Sequence, residues 1–223
     1  MNKNWIYLSY PLHSNAPFYG GGTGFTEKSV KSIAAGDSCN TSSWSISSHM
    51  RTHLDFPKHF LSRGKSLADY EPGFFILEHV HIAEISSVEP AQMIGPGDLG
   101  LEEIPEETEL LLIKTGFGMF RGQENYSLQN PGFYPELVDD LRKRFPRLRI
   151  MGFDSISLSS FAHRELGHKA HMAFLNHEHS ILPLEDVNLS EIGEDTEVHQ
   201  VVVAPILVSE ADGSPCTVMA LVG

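Results

Sequence analysis

Short apolar stretches bounded by glycine, proline or acidic residues recur along the chain of 223 residues. They are rich in β-branched and aromatic side chains, which favours strands over helices. The strongest of them are continuously apolar and do not alternate with polar residues, a pattern typical of a sheet that is covered on both faces. The predicted strands are residues 5–10, 74–82, 110–115, 148–153 and 198–207.

Two segments between these strands show helical spacing instead. Residues 135–145 carry acidic side chains early and basic side chains late, which suits the dipole of a helix, and residues 162–175 form the second predicted helix. The sequence shows no internal repeat, low-complexity tract or linker, and its 41% of hydrophobic residues can form one core. Together these features predict a mixed α/β fold in one domain over residues 1–223.

The balance of charge restricts the class of partner. The chain has 29 acidic and 16 basic residues and lacks the clustered lysine and arginine that phosphate groups require. This argues against nucleic acid and anionic membranes and leaves a small molecule as the expected partner. Because no apolar stretch is long enough for a signal peptide or a membrane span, we predict a cytoplasmic protein. Cys39 and Cys216 indicate neither a disulfide framework nor a thiolate zinc site.

One segment of eleven residues, HMRTHLDFPKH, carries the strongest chemical signal in the chain. Imidazole and carboxylate groups are ligands that Zn²⁺, Mn²⁺ and Fe²⁺ accept, and three protein ligands with an open position are typical of a catalytic metal site. In an extended chain these side chains would project to one side, and in a helical turn the first two histidines would also converge. The candidate ligands are His49, His53, Asp55 and His59.

A second cluster lies far away in sequence and holds five of the 12 histidines. His168 and His171 stand three residues apart on the second predicted helix, and Glu185 closes an apolar run where a short strand would end. One histidine from the helix and one carboxylate from the strand end could complete a second metal position. Most of the remaining histidines are expected to be exposed.

These residues resemble a known family, the cyclase family of metal-dependent hydrolases, which includes bacterial kynurenine formamidases and isatin hydrolases. The family motif is H-x-G-T-H-x-D-x-P-x-H, and the chain matches it at His49, Thr52, His53, Asp55, Pro57 and His59. Supporting matches are spread over most of the chain. They include Leu112-Ile-Lys-Thr-Gly, Gly152-Phe-Asp-Ser-Ile-Ser, Ala170-His-x-x-Phe-Leu and Leu184-Glu-Asp.

The resemblance implies a set of site residues and a fold. One divalent ion would be bound by His49, His53 and Asp55, with Asp55 able to bridge to a second ion, and His59 would be the catalytic acid and base. The implied ligands of the second ion are His171 and Glu185. The implied fold is a compact α/β domain of the swivelling β/β/α type, with a mixed, barrel-like central sheet flanked by helices and assembled as dimers or tetramers. One or two ions, Zn²⁺ or Mn²⁺, are expected per chain.

The implied reaction is hydrolysis of an amide-type C–N bond by metal-activated water, with His59 as proton shuttle and an arylformamide such as N-formylkynurenine as substrate. The alternatives are a cyclic imide, lactam or lactone hydrolase of the isatin type, and a non-catalytic metal-binding protein that has kept the fold. An intact His59 argues against the last of these. Candidates for an aromatic pocket are Phe18, Tyr19, Trp44, Phe117 and Phe120, although each of them alone would more often be ordinary core packing.

The chain departs from the family pattern at two places. Arg51 stands where the motif has glycine, and it could either clamp a substrate carboxylate or point outward to solvent. In the second cluster, family spacing counted from His168 reaches Ser180, which is a poor carboxylate substitute, whereas His171 restores a glutamate at Glu185. We therefore prefer His171 as the ligand and assign His168 to a neighbouring position.

Overall fold

A mixed β-sheet forms the centre of the protein. The computed structural model describes residues 3–193 and 195–223. Its strands are β1 (Asn4–Tyr7), β2 (Phe25–Lys31), β3 (Thr41–Ile46), β4 (His53–Asp55), β5 (Ile76–Leu77), β6 (Val80–Glu84), β7 (Met93–Ile94), β8 (Leu110–Lys114), β9 (Gly132–Phe133), β10 (Ile150–Phe153), β11 (Leu182–Glu185), β12 (Val198–Pro205) and β13 (Gly213–Val222). Its α-helices are α1 (Glu124–Leu128), α2 (Leu137–Arg144) and α3 (Arg164–Leu175).

The order of the main sheet brings distant parts of the chain together. It runs β5-β12-β13-β4-β11-β10-β8-β6, and β1 joins it by pairing with β13. Strands β6, β8, β10 and β11 are parallel to one another, and β4 pairs antiparallel with both β11 and β13. Because β5 and β6 end the order on opposite sides yet follow each other closely in sequence, the sheet must curve back on itself. This confirms the predicted mixed, barrel-like α/β architecture.

The parallel strands form the most deeply buried part of the core. Leu110, Leu111, Leu112 and Ile113 on β8 are all fully buried, as a strand covered on both faces requires. Helix α3 packs Ala170, Phe174 and Leu175 onto this core. The continuous apolar runs therefore correctly predicted strands that are covered on both sides, and both predicted helices are present.

The predicted strand over residues 74–82 is divided into two short strands, β5 and β6. The chain forms a 3-10 turn over Pro72–Phe75, then β5, and it breaks before β6. At the break, the backbone N–H groups of Glu78 and His79 donate to the carboxylate of Glu109, at 3.1 and 3.4 Å. A single apolar run thus supplies both edges of the curved sheet, and the polar break between them is where the chain crosses from one edge to the other.

Several strands are absent from the predicted set. The strand β13 begins Gly-Ser-Pro, residues that are typical of turns, and β4 has only three residues. The hairpin of β2 and β3 is polar on both faces and pairs with no other strand among the described residues. Within residues 3–193 and 195–223, no helix has the length and apolar content needed to cross a membrane.

Candidate metal centre

The sheet order places the two histidine clusters of the sequence beside each other. Strand β4 carries His53 and Asp55 and lies between β13 and β11, so that His53 pairs in register with Glu185. Helix α3 brings His171 to the same point from outside the sheet. Local structure around the eleven-residue segment is mixed, because a loop, a short strand and a 3-10 turn follow one another. Their side chains still converge, as the spacing predicted.

His53 and His171 each lie close to the carboxylates of Asp55 and Glu185. His53 Nε2 lies 3.4 Å from Asp55 Oδ1 and 3.5 Å from Glu185 Oε2. His171 Nε2 lies 3.2 Å from Asp55 Oδ2 and 3.5 Å from Glu185 Oε1. Tetrahedral ligands with bonds of 2.0–2.2 Å would stand about 3.3 to 3.6 Å apart. These pairwise spacings fit ligands of divalent metal ions, and Asp55 and Glu185 each face two histidines.

Backbone acceptors fix which imidazole nitrogen faces the cluster. A carbonyl oxygen can only accept, so His53 Nδ1 donates to the carbonyl of Arg51 at 2.6 Å, and His171 Nδ1 donates to that of Gly167 at 2.9 Å. Each Nε2 then faces the carboxylates, where it can donate a proton to them or, once that proton is lost, bind a metal ion. Glu185 is held in turn by the backbone N–H of Leu158, which donates to Oε1 at 2.7 Å. Such outer contacts are typical of metal ligands.

The cluster concentrates negative charge in a buried place. Burial alone would lower the pKa of His171, but hydrogen bonds with Asp55 and Glu185 outweigh it and raise the pKa to about 10. Three histidines hold the pKa of Asp55 well below its usual range although burial opposes them. Protons and divalent cations thus compete for the same atoms, and a bound metal ion would displace the protons.

His49 lies at the edge of the cluster rather than at its centre. Its Nδ1 is 2.8 Å from Asp55 Oδ1 and its Nε2 is 3.0 Å from Asp212 Oδ2. Burial lowers the pKa of His49, but these two carboxylates override it and raise the pKa to about 9. Gly213 lies against the ring, and a Cβ there would clash with His49 Cε1. The ligand atoms of His49, Asp55 and His59 lie close enough together to hold a metal ion. Those of His53, Asp55 and Glu185 form a second such set.

His59 forms part of the wall of the site. Its ring stacks on that of His49 with centroids 3.8 Å apart, and its Nδ1 lies 3.4 Å from Asp212 Oδ2. Burial lowers its pKa from the usual 6.5, against the opposing effect of the Asp55 charge. Asp212 therefore contacts two predicted site residues, although the sequence analysis did not identify it.

The two candidate histidines of α3 occupy different environments. His171 is buried among the carboxylates, whereas His168 is exposed at the rim, where its ring meets that of Phe60 edge-on with centroids 5.3 Å apart. Phe60 also stacks on His171 at 4.6 Å. Ser159 Oγ lies 3.1 Å from His171 Nδ1, another contact that the sequence did not indicate.

A cavity of about 310 Å³, called here the metal pocket, opens onto the cluster. Of the aromatic residues that were candidates for such a pocket, Phe18 and Tyr19 line it, and Phe60 joins them. Trp44 is exposed on β3, while Phe117 and Phe120 pack with Tyr126 in a separate small core. The prediction of an aromatic pocket is therefore correct for Phe18 and Tyr19 and wrong for the other three candidates.

Arg51 adopts a left-handed backbone conformation that is strained for a residue with a Cβ. Its position in place of the motif glycine made this an expected difficulty. Its φ is +60°, in the left-handed region that a glycine adopts without strain. The alternative that its side chain points outward to solvent is wrong, because the residue is only 5% exposed. Its Cζ lies 5.9 Å from the ring centroid of Tyr10, and the residue lines the metal pocket.

A buried polar network supports the strand end that carries Glu185. Asp186 follows it with a φ of +56°, and Arg121 and the hydroxyl of Tyr126 both donate to Asp186 Oδ1. Thr52 Oγ1 donates to the carbonyl of Asp186 at 2.6 Å, which ties this turn to the segment before β4. The network therefore fixes β4 and β11 relative to each other beneath the metal cluster.

Replacing Tyr126 by phenylalanine is expected to lower the free energy of unfolding by about 1.5 to 3 kcal/mol, because a buried hydrogen bond to a charged group is lost. Burial and the neighbouring Asp186 raise the pKa of Tyr126, so the hydroxyl is protonated and donates. Urea unfolding measures the change. Tyr134→Phe, at a position that is 40% exposed, serves as the control and should change stability by less than about 0.5 kcal/mol. Equal effects of the two substitutions would contradict this role.

Several known proteins are similar to this chain in sequence. The Cyclase family model matches residues 6–160. The kynurenine formamidase of Bacillus anthracis is 29% identical over 215 residues, which is 96% of this chain and 95% of that protein. That of Bacillus thuringiensis (strain Al Hakam) gives the same figures of 29%, 96% and 95%.

Solved structures show the same fold. Isatin hydrolase A from Labrenzia aggregata, bound to benzyl benzoate, superposes with a TM-score of 0.77 at 22% identity and covers 98% of this chain and 93% of its own. Isatin hydrolase A from Ralstonia solanacearum superposes with a TM-score of 0.74 at 17% identity, covering 99% and 92%. At these identities the likeness is one of fold, and it extends over nearly the whole chain.

Proposed function

The chain belongs to the Cyclase family of metal-dependent hydrolases, and we propose that it hydrolyses an amide-type C–N bond, with arylformamides such as N-formylkynurenine as the substrate class. The observation that carries the proposal is the convergence of His53, Asp55, His171 and Glu185 at the base of a pocket with aromatic walls. The kynurenine formamidases that match over 96% of the chain support the choice of substrate class.

We assign the metal ligands as two sets that share Asp55. His49, His53 and Asp55 would hold one ion, and Asp55, His171 and Glu185 would hold another. The position of Asp55, within 3.4 Å of both His53 Nε2 and His171 Nε2, supports a bridging carboxylate. When bound, a divalent ion such as Zn²⁺ or Mn²⁺ supplies a Lewis acid and lowers the pKa of water from about 15.7 toward 7.

His59 is proposed as the group that moves protons. It stands on the pocket wall with Asp212 beside Nδ1, so this carboxylate can orient the ring and leave Nε2 for the reacting groups. As the neutral base it would accept a proton from the attacking water and then deliver it to the departing nitrogen. Phe18, Tyr19 and Phe60 would enclose an aromatic leaving group and limit the access of bulk water.

The pH profile of kcat/KM is expected to reflect this role. Burial lowers the pKa of His59, so the neutral base persists from pH 7 down to a pH below 6.5. Activity should therefore stay level through neutrality and fall only as the pH drops below that lowered pKa. Steady-state kinetics between pH 5 and 8 measure the profile. A decline that begins well above pH 6.5 would contradict the assignment.

A second candidate reaction is opening of a cyclic imide or lactam of the isatin type. The aromatic pocket and the fold shared with two isatin hydrolases favour it over lactone hydrolysis. Parallel assays of N-formylkynurenine and isatin, each with and without a chelator, separate the two reactions. Faster, chelator-sensitive turnover of the formamide supports the first proposal, and preference for isatin supports the second. Turnover of neither substrate, by protein that holds metal, would indicate a metal-binding protein without catalysis.

The remaining parts of the proposal concern partners and location. We propose a small-molecule substrate, assembly as a homodimer or homotetramer, and a cytoplasmic location, with no role for nucleic acid or membranes. The formal net charge of −13 supports the exclusion of polyanionic partners. Arg51 stays a proposed binding residue for an acidic group.

A further inference from the structure

Arg51 is a buried cation that lacks a counter-ion of its own. Its Nε and Nη2 atoms are inaccessible to solvent and have no hydrogen-bond partner in the part of the chain that the structure describes. Buried guanidinium groups are normally paired, because an uncompensated charge in a protein interior is costly. An unpaired buried arginine therefore points to a partner that lies outside the chain.

Arg51 shares a neighbouring carboxylate with a second arginine. Arg121 also lies beside the ring of Tyr10, with its Cζ 3.7 Å from the ring centroid, and it already binds Asp186 Oδ1. Two guanidinium groups thus share one carboxylate, whose other oxygen has no donor among the described residues. Asp154 is a further charged neighbour of Tyr10, but its carboxylate accepts from the backbone N–H groups of Thr115 and Gly116 and from the Thr115 hydroxyl.

Arg51 also lines a second cavity of about 710 Å³, within the size range of small-molecule sites. We call it the N-terminal cavity, since β1 forms part of its wall. Tyr10, which the Arg51 guanidinium approaches, lines this cavity and not the metal pocket. The other walls combine apolar side chains with the acidic Glu191 and with polar residues such as Asn4 and Asn188. The apolar residues include Trp5, Ile6, Leu12, Ile206 and Cys216.

We propose that the N-terminal cavity binds a small organic carboxylate, with the Arg51 guanidinium as its counter-ion. The planar fork of arginine matches the two oxygens of a carboxylate. The apolar walls suit an organic group attached to the carboxylate. The site goes beyond the proposed hydrolysis, and the anion could be either a free acid or the carboxylate of a substrate that reaches past Arg51.

Calorimetric titration with phenylacetate, and with its neutral analogue phenylacetamide, tests the proposal on the metal-loaded protein. Phenylacetate should bind, phenylacetamide should bind at least about tenfold more weakly, and Arg51→Met should weaken phenylacetate by at least about tenfold. Methionine keeps a Cβ and similar length at the same positive φ, so the backbone demand is unchanged. Arg51→Lys, which retains the charge without the fork, should bind with intermediate affinity.

Fluorescence locates the bound carboxylate. The chain has two tryptophans, and the Trp44→Phe variant leaves only Trp5, which lines the N-terminal cavity. Its emission should change on addition of phenylacetate and not on addition of phenylacetamide. No phenylacetate binding at millimolar concentration, or equal binding by wild type and Arg51→Met, would overturn the proposal.

The His53→Ala variant separates this proposal from the hydrolase. If the carboxylate binds in the N-terminal cavity, its affinity should survive loss of the metal ligand. Loss of binding in His53→Ala with retention in Arg51→Met would assign the carboxylate to the metal centre and overturn the inference. Steady-state kinetics of the active enzyme then identify where the bound carboxylate comes from. If phenylacetate raises the KM of an acidic substrate, the carboxylate belongs to the substrate, and if KM is unchanged, the site binds a free acid.

Discussion

Replacing His53 by alanine is expected to lower kcat/KM by more than about 100-fold. Loss of a residue that only supports a metal ligand costs up to about 100-fold, and loss of a ligand itself should cost more. His53 Nε2 faces both Asp55 and Glu185, within 3.5 Å of each, and its tautomer is set by the Arg51 carbonyl. Removal of this imidazole would leave His171 as the remaining histidine that faces both carboxylates. Initial rates with an arylformamide, over a range of added Zn²⁺ or Mn²⁺, measure the effect.

A histidine close to the site but outside the cluster provides the control. His168 lies on the same helix as His171 and is exposed at the rim. His168→Ala should keep kcat/KM within a few-fold of wild type, since it removes an imidazole near the pocket without touching a proposed ligand. If excess metal restored full activity to His53→Ala, or if both variants lost activity equally, His53 would not be the ligand proposed.

Replacing His59 by asparagine is expected to lower kcat by about 100-fold to 10,000-fold, the usual contribution of a positioned acid and base. Asparagine retains a polar side chain of similar reach but cannot exchange a proton near pH 7. The bound metal should remain, because His53, Asp55, His171 and Glu185 are unchanged. Stopped assays of product formation together with metal analysis of the same sample would show this combination.

Asp212 offers a graded test of the same role. Its Oδ2 contacts both His59 and His49, so Asp212→Asn should reduce kcat less than His59→Asn does. Full activity of His59→Asn would rule out a proton shuttle at this position. If the His59→Asn variant lost its metal, His59 would instead be a metal ligand. Its ring lies close enough to the ligand atoms of His49 and Asp55 for that role.

The candidate site was predictable to the extent that its chemistry is local in sequence. His49, His53, Asp55 and His59 fall within one segment, so their spacing alone indicated convergence. Asp212 stands 163 residues from His49, in the loop before β13, and reaches the site only because the sheet order places β13 next to β4. Nothing in its local sequence indicates that neighbour.

The same distinction applies to the fold. Continuous apolar runs marked β8 and β10, because burial on both faces leaves a strong local signal. The long strand β13 was missed since it begins with glycine and proline. The direction of the Arg51 side chain depends on a positive φ and on the packing of Tyr10, neither of which a motif reveals.

The content of divalent metal per chain, measured by elemental analysis on wild type and His53→Ala purified in parallel, tests the account most directly. The shared position of Asp55 predicts about two ions per wild-type chain after incubation with Zn²⁺ or Mn²⁺, and a sharp loss in the variant. A wild type that holds no ion after such incubation, or a variant that holds as much as wild type, would contradict the proposed metal centre.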